Sequence, residues 1–341
     1  MSSRRTNLGL LAFLTLAFVT GLLSFGIGTG WVRVAVLAHA VGGLGVIVLS
    51  PWKSVAIRRG LRRRPPSLRG HGLESSASLA LTLLLAVAVA TGLLHAVGAD
   101  RLGPLAAMQI HVAAALAAMP FALWHVRIRP APLRGSDLSR RGLLRIGLVL
   151  GAAGVVWAAL EGLMVAASLP GRRRRATGSH EMGSYDPRRM PVTQWLDDDV
   201  PRLDEATWAL TVRLPLHERR WRLDELEADL EPLVATLDCT GGWYAAQEWS
   251  VLPLRRLVGD PGDARSILAR SVTGYSRRFP IVDLDHLWLA TRVAGEPLSP
   301  GHGFPARIVA PGRRGFWWVK WLETIELSEE PWWWQSPFPL T

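Results

Sequence analysis

Cys239 is the sole cysteine among 341 residues, and it stands in the run Leu237-Asp-Cys-Thr-Gly-Gly-Trp243. One thiol rules out an intramolecular disulfide, a c-type haem attachment, a thiolate-bound iron–sulfur cluster and a four-cysteine zinc site. It leaves a soft anionic ligand for one metal, a nucleophile, or an inert buried residue, since free cysteine is among the most buried residue types. Gly241 and Gly242 let backbone approach a bound group closely, and Trp243 supplies a flat wall. A second set of residues with chemistry to offer is histidine. His39, His71, His95, His111 and His125 all lie in or beside long apolar runs.

Those runs are the elements that must position the histidines. Apolar stretches cover roughly 8–28, 31–51, 76–98, 104–124 and 144–168, each close to the ~20 residues a helix needs to cross a bilayer. The connections 53–70 and 126–145 are rich in arginine, while those near 29–30 and 99–103 are short and almost uncharged. By the positive-inside rule the N-terminus is cytoplasmic and everything after the fifth stretch is extracytoplasmic. The run Arg172–Arg175 points the other way and is outvoted by the two longer loops. The first stretch is not a cleaved signal peptide, because four more follow.

His39 and His111 fall seven or eight residues below the outer ends of the second and fourth stretches. At 1.5 Å per residue both lie roughly 10–12 Å deep, so they could bind one iron from opposite sides. His125 follows His111 by 14 residues, about 21 Å along the axis and nearly on the same face. This spacing resembles the paired haem ligands of di-haem b-type cytochromes. His71 is a candidate inner partner for His125, and His95 an alternative outer ligand. The bland reading of each is a polar side chain satisfied by a neighbouring helix. Ionisable residues inside a membrane favour function, so one haem b at His39 and His111 is expected, with a second haem left open.

Charge divides the chain. Residues 1–175 carry a net +17 and residues 176–341 a net −6. The basic residues flank apolar runs instead of lining a polar surface, so no nucleic-acid partner is expected. Only Lys53 and Lys320 are lysine; every other basic residue is arginine. Ser139-Arg-Arg-Gly-Leu-Leu-Arg145, directly before the fifth stretch, looks like a twin-arginine signal, the address for exporting proteins already folded around a cofactor.

The expected organisation is an all-α bundle of five transmembrane spans over 1–170, a linker over 171–190 and a mixed α+β, strand-rich extracytoplasmic domain over 191–341. Alternation at Trp208–Leu214, Ala306–Ala310 and Trp321–Leu327 predicts strands, and Leu223–Leu230 and Pro253–Leu257 read as helical turns. About 160 residues suffice for one domain with a real core. No internal repeat stands out in this half.

Several motifs in order carry a family resemblance: Leu237–Trp243, Trp249-Ser-Val-Leu-Pro-Leu254, Gly274-Tyr275, Gly295-Glu-Pro-Leu298, the Gly-rich run Gly301–Gly315, and Val319-Lys-Trp321. Together, over about 191–328, they resemble the molybdopterin-binding domain of the sulfite oxidase family. The match is to a bacterial branch with Cys-x-Gly-Gly-Trp; Ser250-Val251-Leu252 depart from its usual glycine before the Val-Pro-Leu-like segment. No b5-type haem domain is present, and the membrane half would replace it.

The resemblance implies that Cys239 is the protein thiolate on molybdenum, beside the dithiolene of one pterin; a soft sulfur suits such a metal. It implies that Arg307 and Lys320 hold the pterin and its phosphate, that His302 touches the pterin, and that Tyr275 and Arg277 face a substrate oxyanion. Gly241, Gly242, Trp243 and Arg313 complete the cofactor-binding candidates. Arg313 and Arg314 read equally well as a solvated turn, Arg277 and Arg278 as surface charge, and Trp317, Trp318 and Trp332–Trp334 as packing. The expected activity joins oxygen-atom transfer at molybdenum to electron transfer through haem b and a quinone pool, in the bacterial cytoplasmic membrane. S- or N-oxide reduction is the first reading, on resemblance to the periplasmic methionine-sulfoxide reductase system. Sulfite oxidation with electrons passed inward, or a non-catalytic haem-binding scaffold, are the alternatives.

Overall fold

The computed structural model describes residues 3–26, 28, 30–63, 72–99, 101–194 and 198–336. Contacts divide the chain into two compact units, residues 1–24 with 30–180 and residues 25–29 with 181–341.

The first unit is built on five helices: α1 (Ser3–Gly26), α2 (Val32–Arg63), α3 (Gly72–Val97), α4 (Ala107–Ile128) and α5 (Arg140–Ala166). Leu, Ala and Val dominate all five; Leu and Ala favour helix intrinsically, while the β-branched valines do not and sit in helices because of their apolar surroundings. The loop expected from 53 onward begins later, because α2 runs on to Arg63. Nothing between Lys53 and Arg63 breaks a helix except Gly60; the first strong breakers are Pro65-Pro66. Ser139 caps α5 by accepting the Gly142 N–H at 3.3 Å. Helix α3 packs on α4, and α2 on α5. Segments Arg4–Gly26, Val32–Val55, Ser76–Val97, Ala107–Ile128 and Arg140–Ala166 are long and apolar enough to cross a membrane. Their outward faces carry exposed leucines and valines such as Leu83, Leu148 and Val155. In water such faces would be an aggregation liability.

The stretch 171–190, expected as a linker, is packed. A short 3-10 turn, Pro170–Arg173, folds onto the helices, with Gly171 buried, and Arg174 pairs with Glu161 of α5. Met190 sits in the core of the second unit.

The second unit is strand-rich: β1 (Ala209–Arg213), β2 (Glu218–Arg222), β3 (Glu231–Asp238), β4 (Trp243–Pro253), β5 (Ser266–Ser271), β6 (Ser276–Pro280), β7 (Trp288–Val293), β8 (Arg307–Val309) and β9 (Leu322–Ser328). Short helices α6 (Leu223–Glu227) and α7 (Leu254–Val258) sit between strands. In one sheet β4 pairs with β3 and β7, and β7 also takes β8 and the two-residue strand Glu296–Pro297, all antiparallel. The other runs β2-β1-β9-β5-β6, with β9 parallel to β1. Alternate residues of both sheets supply one core around Trp249, Phe279, Leu289, Ile308 and Ile325, each fully buried. Hairpin β3–β4 pairs Asp238 with Tyr244, which makes Cys-Thr-Gly-Gly its turn. The single thiol is thereby set at the edge of a rigid sheet.

Candidate functional site

The hairpin turn closes by a hydrogen bond from the Cys239 N–H to the Trp243 carbonyl (2.8 Å) and another from the Gly242 N–H to the Cys239 carbonyl (3.1 Å). The Gly241 N–H donates to Cys239 Sγ at 3.3 Å, so the turn points an amide at the sulfur. Trp243 is fixed by its Nε1–H to Thr193 Oγ1, 3.2 Å away. Burial raises the Cys239 thiol above its ordinary value; the Gly241 N–H, Arg314, Thr193 and Lys320 oppose that shift by favouring the thiolate.

Two adjoining cavities meet at this sulfur. The larger, about 80 Å³, is lined by Gln194, Asp198, Thr240, Tyr275, Phe316 and Trp321 among others. The smaller, about 50 Å³, is lined by Trp243, Gly301, His302 and Arg307 among others. Thr193, Cys239, Gly315, Trp318 and Lys320 border both.

Two cations, Arg307 and Lys320, border the smaller cavity. Arg307 is buried; Nη1 donates to the His302 carbonyl (2.9 Å) and Nη2 to the Trp318 carbonyl (3.3 Å). Its Nε has no partner among the described residues. Lys320 Nζ donates to the carbonyls of Thr193 (2.8 Å) and Gly301 (2.9 Å). Neither forms an ion pair with a described carboxylate. Burial brings Arg307 down to about 9, with Cys239 pulling the other way. Burial, then repulsion from Arg307, brings Lys320 down to about 7, while Cys239 and Asp198 resist. Buried Arg307 and half-buried Lys320, each hydrogen-bonded to neutral carbonyls, carry a desolvation cost that an anion seated between them would offset. Gly303 makes the pairing feasible. It sits at φ +111°, and a Cβ there would meet Arg307 Cβ and Lys320 Cγ at 3.1 Å.

His302 is held on both nitrogens. Nε2 donates to the Met190 carbonyl (3.1 Å), and Nδ1 accepts from Ser299 Oγ (2.9 Å). Burial, with Arg307 nearby, lowers it to about 4, so it is a neutral wall at pH 7. Tyr275 lines the larger cavity, its hydroxyl donating to the Phe316 carbonyl, and burial raises its pKa.

Two expected site residues lie elsewhere. Arg277 stacks over Trp317 (4.3 Å) and Phe316 (5.2 Å), donates to the Ser336 carbonyl and lines neither cavity. Burial lowers it to about 10. Arg313 pairs with Asp283 and lies over Trp317, also away from the cavities. Its neighbour Arg314 does the work sequence assigned to neither. It is buried, pairs with buried Asp238 and donates to the Cys239 carbonyl at 3.0 Å, tying the 310–315 loop to the thiol's own turn. The clue was Asp238: an acid beside Cys239 at the end of a core strand needs a buried cation. Thr193, bonded to Trp243 and Lys320, carried no such signal.

In the helical unit His39 and His111 face one another, ring centres 5.6 Å apart and planes at 84°. Each Nδ1 donates to a helix carbonyl at 2.7 Å, His39 to Ala17 and His111 to Ala88. In the neutral ring that leaves Nε2 as the unprotonated nitrogen. Two imidazoles on opposite sides of one metal at about 2.0–2.1 Å would set their centres about 6.4 Å apart, somewhat farther than these rings stand. His95 is committed otherwise, with Nε2 on the Gly178 carbonyl (3.0 Å) and its ring against His180. His125 Nδ1 lies 3.2 Å from Ser78 Oγ. His71 falls outside the described residues. Among the described residues no three His, Cys, Asp or Glu side chains cluster as a metal site.

The strand-rich core thus brings the Cys239 thiol, Arg307 and Lys320 to one cavity. The family described as oxidoreductase molybdopterin binding domain matches residues 197–335. Over 81 residues the chain is 54% identical to a nitrate reductase (NADPH) of Mycosarcoma maydis, covering 21% of this chain and 8% of that protein. Over 58 residues it is 41% identical to nitrate reductase (NADH) 2 of Phaseolus vulgaris, covering 17% and 6%. The chain thus spans less than a tenth of the length of these relatives. The crystal structure of the sulfane dehydrogenase SoxCD from Paracoccus pantotrophus is similar at 23% identity, with TM-score 0.36 over 38% of this chain and 40% of that one. Residues 197–335 are an oxidoreductase molybdopterin-binding domain of the sulfite oxidase and nitrate reductase type, the type found in molybdenum-dependent oxidoreductases.

Proposed function

We propose that this chain is a membrane-anchored oxidoreductase that couples oxygen-atom transfer at the Cys239 cavity to electron transfer through a haem b at His39 and His111 and a quinone pool. It runs as a reductase of S- or N-oxides. The observation that carries the reading is the convergence of Arg307, Lys320 and the sole thiol on one cavity.

Molybdopterin, when bound, supplies two-electron oxygen-atom chemistry, and haem carries electrons singly. The chain's residues do the rest. Arg307 and Lys320 hold the anionic cofactor by charge-assisted hydrogen bonds. Cys239 would be the protein's ligand to the metal, its thiolate favoured by the Gly241 amide and Arg314. Gly315 keeps the loop close to the thiol, where a Cβ would stand 3.0 Å from Cys239 Cα. Trp318 and Trp321 wall off water, and Tyr275 borders the space open to a substrate. Relatives named nitrate reductase support the reductive direction on an oxygen-bearing substrate. Five apolar helices with arginine-rich connections support anchoring in the bacterial cytoplasmic membrane, with the cofactor domain outside and the twin-arginine-like run at 139–145 as its export address.

Metal and pterin analysis of the detergent-purified chain tests this. The result expected is near one molybdenum and one pterin per chain, the molybdenum lost in Cys239→Ser while the haem spectrum stays. Wild-type protein without molybdenum would overturn the reading.

A further inference from the structure

We propose that the helical unit is an internal duplication, α1–α2 facing α3–α4, which holds a single haem between His39 and His111 and has no second haem site. This rests on the haem reading above and sharpens it.

The duplication is visible once the two histidines are superposed in register. Residues 16–23 read Leu-Ala-Phe-Val-Thr-Gly-Leu-Leu and residues 87–94 read Val-Ala-Val-Ala-Thr-Gly-Leu-Leu. The copies are offset by 71 residues in the first helix of each pair and by 72 in the second. The contacts repeat with the letters. Ala17 gives its carbonyl to His39 Nδ1, and Ala88 gives its own to His111 Nδ1, both at 2.7 Å. Thr20 Oγ1 bonds the carbonyls of Leu16 (2.5 Å) and Ala17 (3.3 Å); Thr91 Oγ1 bonds those of Val87 (2.7 Å) and Ala88 (3.2 Å). A Cβ on Gly21 would stand 3.1 Å from the His39 ring, and one on Gly92 3.0 Å from the His111 ring. Each imidazole is therefore seated by the same three-part device. A small residue admits the ring, a carbonyl orients it, and a threonine polarises that carbonyl.

The register also decides the far end. The 72-residue offset that maps His39 onto His111 maps Trp52-Lys53 onto Trp124-His125. His125 lies about 21 Å along α4 from His111 on nearly the same face, the place for a second haem ligand. By the repeat, the counterpart of His125 in the first pair is position 53, and that position is lysine; His71, the other candidate, falls outside the described residues. The Lys53 ammonium donates to Asn7 Oδ1 at 2.8 Å, and a protonated amine has no lone pair to give iron. His125 in turn meets Ser78 Oγ, and Asn7 and Ser78 are themselves related by the 71-residue offset. The two ends began alike. One keeps the histidine pair; the other has become a Lys–Asn pair opposite a His–Ser pair.

Haem quantitation against protein, with a reduced-minus-oxidised spectrum and a redox titration, tests this on the full chain in detergent. Molybdenum content serves as the folding control. One haem per chain and a single one-electron wave are expected. His39→Ala and His111→Ala each abolish it, His71→Ala and His125→Ala leave it whole, and Gly21→Val and Gly92→Val lower it to similar extents. Two haems in the wild type, or haem lost in His125→Ala or His71→Ala, overturns the single-site inference alone. Haem sensitive to only one of the two glycines contradicts the duplication. Wild-type protein with molybdenum and no haem overturns the haem reading beneath it.

Discussion

In the β domain Arg307 and Lys320 give their protons to carbonyls of Thr193, Gly301, His302 and Trp318, whereas in the helical unit His39 and His111 give theirs to Ala17 and Ala88. Both regions aim a polar side chain with backbone oxygens, but the residues they aim differ in kind. The β domain buries charges, and its carbonyls come from loops far apart in sequence, so a finished core must hold them. The helices bury imidazoles that can stay neutral, and the carbonyls come from one turn of a neighbouring helix opened by a small residue. A buried cation without an anion is a standing cost, so the β site is built for a permanent anionic guest. A neutral imidazole pair makes no such demand.

That contrast can be broken most forcefully at Arg314. Replacing it with alanine deprives the buried Asp238 carboxylate of its cation beside the Cys239 turn, and losing one partner of a buried pair costs about 3–5 kcal/mol. Thermal melting should show the β domain unfolding at markedly lower temperature in Arg314→Ala, with the haem spectrum unmoved. Arg313→Ala, whose side chain pairs with Asp283 away from the cavities, should leave molybdenum content intact.

Next in size is a pH effect. Above about pH 6.5 the His302 ring is neutral whether the chain is folded or not. As pH falls, the unfolded chain takes up the proton near 6.5 and the folded one only near 4. The folded β domain therefore loses stability across that window, by up to about 3 kcal/mol, and loses no more below it. Denaturant melts at pH 7, 5.5 and 4 should trace this fall, and His302→Gln should flatten it.

Arg307→Met sharpens the comparison from the other side. It removes a buried charge that has no described counter-ion, so the empty domain should melt no earlier than wild type. Pterin retention should fall by roughly 10- to 100-fold, the loss of about 1.5–3 kcal/mol for a charged hydrogen bond. Pterin released on dialysis against fresh buffer measures it.

The five apolar helices were legible in the sequence because they are written in local pattern, as unbroken apolar runs. The choice between Arg313 and Arg314 was not. The two are adjacent, and only the 3-10 turn that follows, Gly315–Trp317, decides which one faces Asp238. Arg277 looked like surface charge or a substrate ligand and proved to be a buried arginine stacked on Trp317, since strand β6 turns it inward. The helical repeat is short and interrupted, so it emerges only when the two histidine contacts supply the register.

The central claim is that the Cys239 cavity and the His39–His111 haem exchange electrons during turnover. Anaerobic stopped-flow mixing of the dithionite-reduced full chain in detergent with a sulfoxide tests it directly. The account predicts that the reduced haem band disappears in wild-type protein and persists in Cys239→Ser. Haem that stays reduced in the wild type, or is oxidised equally fast in Cys239→Ser, would contradict it.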